Sequence, residues 1–130
     1  MQADASVRDL LAFLNAAPTP YHAVAETARR LEAAGYTRFL EEDTWDLTPG
    51  TKGYVIRHEG SIIAFALGAD APAETGMRLI GAHTDSPNLR VTPKPARDAG
   101  GVRQLLIEPY GGLLAYTWFD RDCGIAGRVR

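Results

Sequence analysis

Cysteine is nearly absent: Cys123 stands alone among 130 residues. One thiol closes no internal disulfide, fits a reducing cytosol, and cannot build a thiolate zinc site by itself. Any transition metal held here needs imidazole and carboxylate ligands. An excess of charge of either sign is missing too. The net charge of −2 gives no reason to expect nucleic acid or an anionic membrane surface as a partner. No apolar run approaches the ~18 residues of a membrane-crossing helix. The opening stretch, MQADASVRDLL, has no basic region followed by an apolar one. No secretory leader is therefore expected, and the expected compartment is the cytoplasm.

What is present reads as an ordinary folded chain of about one domain. Val7, Leu10, Leu11 and Leu14 recur at helical spacing and predict a first helix over 6–15. Ser6 with Asp9 resembles a capping box at its start. After Asn15-Ala16-Ala17-Pro18, Thr19 is placed to cap a second helix whose first residue is Pro20. That helix carries Val24, Ala28 and Leu31 on one face, has Arg29 and Arg30 near its end, and stops at Gly35.

A β-rich section follows. A short strand is expected within Tyr36–Leu40 and a turn at Thr48-Pro49-Gly50-Thr51. Tyr54–Arg57 and Ser61–Leu67 flank Glu59-Gly60 as a hairpin. Met77–Ala82 is apolar enough to predict a strand buried on both faces, as at the centre of a helix-covered sheet. Pro93, Pro95, Gly100 and Gly101 then punctuate a linker-like segment before strands expected at Val102–Glu108 and Leu113–Trp118. The pattern stops at Ala126–Arg130 in what reads as a continuing strand, which raises the expectation of a fragment. A boundary near Pro93–Gly100 divides an α/β part from a β part.

Chemistry concentrates at Gly81-Ala82-His83-Thr84-Asp85-Ser86-Pro87. On an extended strand residues i and i+2 share a face, so His83 and Asp85 can address one site. Metal-bound imidazoles commonly give their second nitrogen to a carboxylate, and His-x-Asp supplies that pair. The bland alternative is a polar strand end followed by an Asp-Ser-Pro turn. The spacing alone leaves both open. His22, in the first turn of the second helix, reads as a capping or packing residue, and His58, beside the hairpin turn, as solvated. Trp118-Phe119 reads as a core or interface pair ahead of Asp120-Arg121-Asp122. Gly111-Gly112 reads as a bulge or tight turn, too short to cradle phosphate.

Three ordered blocks carry a resemblance. Pro20-Tyr21-His22-Ala23-Val24 is the first, and Gly81 through Val91 the second. The third is Tyr110-Gly111-Gly112 with Thr117-Trp118-Phe119-Asp120-Arg121-Asp122, closing on Ala126-Gly127-Arg128-Val129. Together they resemble the N-terminal part of the aspartyl aminopeptidase family of cocatalytic zinc exopeptidases. The resemblance implies an α/β fold: the first part of a zinc-peptidase mixed sheet with flanking helices over 1–92, then the first strands of an inserted β domain over 93–130. It implies that His83 is a zinc ligand and that Asp85 is the catalytic-site carboxylate orienting it. Trp118 to Arg121 would belong to the inserted domain through which such proteins form large homo-oligomers.

The activity so implied is release of N-terminal aspartate or glutamate from peptides. Two zinc ions would activate a bridging water, and a glutamate would take its proton. That glutamate and the other ligands would lie beyond Arg130. Cys123 and Gly124 depart from the apolar or hydroxyl residues expected at their positions. Two further readings stay open: a non-catalytic interaction module working through the β half, and another cocatalytic zinc peptidase or deacylase sharing the His-x-Asp.

Overall fold

The computed structural model describes residues 4–129. The first three residues of the stretch read for a leader, and the last of the expected terminal strand, lie outside them. The elements run α1 (Ala5–Ala16), α2 (Pro20–Ala33), β1 (Thr37–Arg38), β2 (Lys52–Arg57), β3 (Ser61–Ala66), a single turn α3 (Pro72–Thr75), β4 (Asn88–Ala99) and β5 (Val102–Tyr110). A 3₁₀ turn at Ala115–Trp118 follows. Chain contacts divide the molecule into two compact units. One runs to Thr84 and takes in the chain from Ala126 onward; the other is Asp85–Ile125.

In the first unit both helices form where the apolar spacing puts them. Asp4, rather than Ser6, caps α1, accepting from the Ser6 N–H at 3.3 Å. Asp4 stands one residue before the first helical turn, where a cap acceptor meets the orphan donors. Thr19 caps α2 as expected, and Pro20 occupies the first turn. The His22 Nδ1 sits 2.7 Å from the Thr19 hydroxyl, so His22 completes a cap. Helix α2 ends before Gly35, which takes φ +82, the left-handed conformation that costs glycine nothing.

Strand β2 is the middle of a three-stranded sheet, parallel to β1 and antiparallel to β3. Helix α2 lies against this sheet, burying its own Ala23, Val24 and Ala28 against the face that carries Tyr54, while Val55, the next residue, is buried on the opposite face, which it shares with Gly53. Tyr54 is 1% exposed and donates its hydroxyl to Glu32 at 2.5 Å, so the polar end of a buried ring is satisfied. Burial, and then the Glu32 carboxylate, push its hydroxyl pKa up. Burying such a side chain contributes roughly 1.5–3 kcal/mol. Helix α1 is tied to α2 through Arg30. Its guanidinium reaches Asp9 at 2.8 Å and Glu26 at 2.7 Å, and lies 5.2 Å from the centre of the Phe13 ring. The apolar stripe of α1 is nonetheless exposed at Val7, Leu10, Leu11 and Leu14.

The hairpin between β2 and β3 turns through His58-Glu59-Gly60, with His58 and Glu59 at positive φ. Its reverse side carries an aromatic cluster. Phe39, Trp45 and Phe65 lie with ring centres 5.2–5.9 Å apart. Gly53 pairs across the ladder with Phe65, and no side chain fits there: a Cβ would come within 2.5 Å of Phe39 and 2.6 Å of Phe65.

Several expected strands are absent. Met77–Ala82 pairs with nothing; Leu79 is 87% and Ile80 101% exposed. Apolar composition favours burial but does not supply neighbours, and none of the described strands pairs there. Residues 124–129 likewise form no strand, and Leu113–Trp118 gives way to the 3₁₀ turn. The stretch read as a linker is instead the second half of β4. Pro93 and Pro95 are accommodated in a register irregularity between Val91 and Ala96 rather than ending the strand.

Gly53→Ala should overpack the aromatic cluster and lower stability by roughly 1–3 kcal/mol. Urea unfolding followed by Trp45 fluorescence should show an earlier midpoint. An unchanged midpoint would mean that the rings yield freely and do not hold this face.

Candidate metal centre

The two residues singled out by sequence fall in different units: His83 near the end of the first stretch, and Asp85 opening the second. His83 is exposed. Its neighbour Thr84 is anchored, donating its hydroxyl to the Gly60 carbonyl at 3.0 Å, so the hairpin turn of β2 and β3 fixes the backbone next to His83. A cleft of that unit, lined by Arg38, Ile56, His58, Glu59 and Arg128, contains neither His22 nor His83. His58 is exposed, as its place beside the turn suggests.

Asp85 is half-buried and accepts a hydrogen bond from the Tyr110 hydroxyl at 2.6 Å. Strand pairing makes this contact. Asn88 stands opposite Tyr110, Leu89 opposite Pro109, Arg90 opposite Glu108 and Val91 opposite Ile107. The Asp85-Ser86-Pro87 lead into β4 therefore runs alongside the end of β5. Gly111, at φ +66, turns the chain away there; a Cβ on it would lie 3.6 Å from Pro87. The Asn88 amide donates to the Ser86 carbonyl at 3.0 Å and steadies the same lead. Arg90, diagonal to Tyr110 across the ladder, lays its guanidinium 4.0 Å from the ring centre. The Asp85 carboxylate favours the protonated hydroxyl, so the Tyr110 pKa is raised, first by this hydrogen bond and then by the charge itself.

Sequence reasoning named Tyr110 only as part of a glycine-bearing block and gave Arg90 no role. The signal was a register, and it was hidden. Between Val91 and Ala96 the chain of β4 advances five residues, while its partner advances two, from Leu105 to Ile107. Counting back evenly from the Gly100-Gly101 turn misplaces Tyr110 by three positions.

As a donor set, His83 and Asp85 are of the kinds zinc accepts. The number is short. Among the described residues no three His, Cys, Asp or Glu side chains gather as a metal site, and a catalytic zinc takes three protein ligands. The residue types are ones zinc accepts, but the described residues complete no such centre.

The model of the aminopeptidase I zinc metalloprotease (M18) family matches residues 13–130. The chain belongs to that family. A probable M18 family aminopeptidase 2 of Pseudomonas putida (strain GB-1) is 54% identical over 126 residues, which is 97% of this chain and 29% of the relative. Among solved structures, a chain of the Ape4 and Nbr1 complex is similar at TM-score 0.83, with 43% identity over 88% of this chain and 22% of that one. The S. cerevisiae mApe1 dodecamer is similar at TM-score 0.81, with 32% identity over 91% of this chain and 28% of that one. The mixed α/β class agrees with these M18 neighbours. The chain thus spans less than a third of the length of the relatives it matches.

With no cluster of three ligating side chains among the described residues, the 130-residue chain should retain no stoichiometric zinc after dialysis against metal-free buffer. Elemental analysis at about one zinc per chain would show a site that the described residues do not account for.

Proposed function

We propose that this chain is the N-terminal part of an M18 aminopeptidase that releases N-terminal aspartate or glutamate from peptides in the cytoplasm. The carrying observation is the family match across residues 13–130, which takes in His83-Thr84-Asp85 and both flanking blocks. On this reading His83 gives an imidazole lone pair to zinc, two ions serving the complete site, and Asp85 orients that imidazole. Bound zinc supplies Lewis-acid polarisation of the scissile carbonyl and a water acidic enough to ionise near neutrality. The chain's own contribution is positional. Thr84 fixes the backbone beside the ligand, and Tyr110 donates to the carboxylate.

Residues 1–92 open the catalytic domain on this reading, and 93–130 begin an inserted β domain. That Asp85–Ile125 clusters as a unit of its own supports a change of domain in this part of the chain. Assembly as a large homo-oligomer is supported by the mApe1 neighbour, which is described as a dodecamer. The exposed run Met77–Ile80 and the exposed stripe of α1 are read as surfaces that the rest of a family-length protein covers. No helix among the described residues is long and apolar enough to cross a membrane.

The test is hydrolysis of peptides carrying N-terminal Asp, Glu, Leu or Lys, with the 130-residue chain and with a family-length protein that contains it. The longer protein should prefer the acidic peptides. His83→Ala in it should abolish turnover and lower zinc content, and the 130-residue chain should be inactive. Full zinc occupancy and turnover in His83→Ala would remove the ligand assignment. Equal rates on all four peptides would remove the acidic preference and leave the aminopeptidase reading standing.

A further inference from the structure

The Asp85 carboxylate receives a hydroxyl from another strand, and that hydroxyl is itself held. Three features converge on it. Tyr110 donates to Asp85 Oδ2 at 2.6 Å. Arg90 lies face-on to the Tyr110 ring at 4.0 Å. The irregularity at Thr92–Pro95 sets the register that places Tyr110 opposite Asn88, three residues from Asp85. A regular hairpin would leave Tyr110 short of this point, opposite Val91. The bulge is thus tied to a specific contact, as bulges beside functional residues commonly are.

We propose that Tyr110 is a positioning residue for Asp85, and that Arg90 fixes the Tyr110 ring so that its hydroxyl meets one carboxylate oxygen. This inference rests on the reading of Asp85 as the carboxylate that orients His83. With Oδ2 engaged by Tyr110, the carboxylate loses rotational freedom. A packing role is separable from this positioning: Phe keeps the ring, its stacking with Arg90 and the strand register, and removes the hydroxyl that donates to Asp85.

The experiment is a double-mutant cycle in the family-length protein, measuring kcat, KM and the zinc dissociation constant for wild type, Tyr110→Phe, Asp85→Asn and the pair. Tyr110→Phe should lower kcat and weaken zinc binding by roughly 10-fold each, within the range for partners that orient a metal ligand. KM should stay within about twofold, because substrate-binding groups are untouched. In the Asp85→Asn background the same change should add less than about twofold. Arg90→Gln, at an exposed position, should give a smaller loss that vanishes in the Tyr110→Phe background. Fully multiplicative effects, or a Tyr110→Phe protein equal to wild type in both kcat and zinc affinity, would overturn the proposal. His83→Ala is run in parallel. If it retains zinc and turnover, the reading of the site fails; if it is inactive while Tyr110→Phe is silent, only the positioning role fails.

Discussion

A strand needs a neighbour, because each residue's backbone donor and acceptor must be satisfied away from water. That constraint sorts this chain. Where the neighbour is close in sequence, pairing forms: β2 with β3 around His58-Glu59-Gly60, and β4 with β5 around Gly100-Gly101. Where a segment is apolar but has no local partner, as at Met77–Ile80, it remains unpaired and exposed. The first unit is held by the one place where a helix covers paired strands, with Tyr54 anchored to Glu32 beneath α2. Gly53 and the Phe39–Trp45–Phe65 cluster close the other side.

The second unit depends on pairing in a different way. It buries no side chain fully, and β5 is exposed almost throughout. What its ladder achieves is register. Two prolines, lacking the N–H that a regular ladder uses, sit in the irregular stretch, and the three-residue offset there sets the start of β4 against the end of β5. Asp85, Asn88, Arg90 and Tyr110 are brought together by that offset. The blocks that identify the family in sequence, Gly81–Val91 and Tyr110-Gly111-Gly112, are the ones the offset makes neighbours.

Local signals were legible. Thr19-Pro20, the α2 face, Gly35 and the β2–β3 hairpin follow from caps, periodicity and turn chemistry within a few residues. His83 and Asp85 were singled out as a candidate pair only through a resemblance spread over three blocks, since His-x-Asp alone also suits a polar strand end. The misses share a cause. Met77–Ala82 and the Ala126–Arg130 end, described to Val129, were read from sequence pattern, which reports a tendency to pair and be buried but not whether a partner exists. Pro93–Ala99 was read as a linker because proline weakens a strand, yet a bulge accommodates it. Tyr110 escaped because its role depends on a register that even counting does not find.

The central claim is that this chain is the opening part of a larger M18 protein, in which Met77–Gly81 becomes a paired strand leading into His83. Hydrogen exchange at the amides of residues 77–81 tests it most directly, compared between the 130-residue chain and a family-length protein containing it. The account predicts exchange near the unprotected rate in the short chain, and slowing by at least ~100-fold in the long one as the strand gains neighbours. Strong protection already present in the 130-residue chain, or none in either protein, would contradict it.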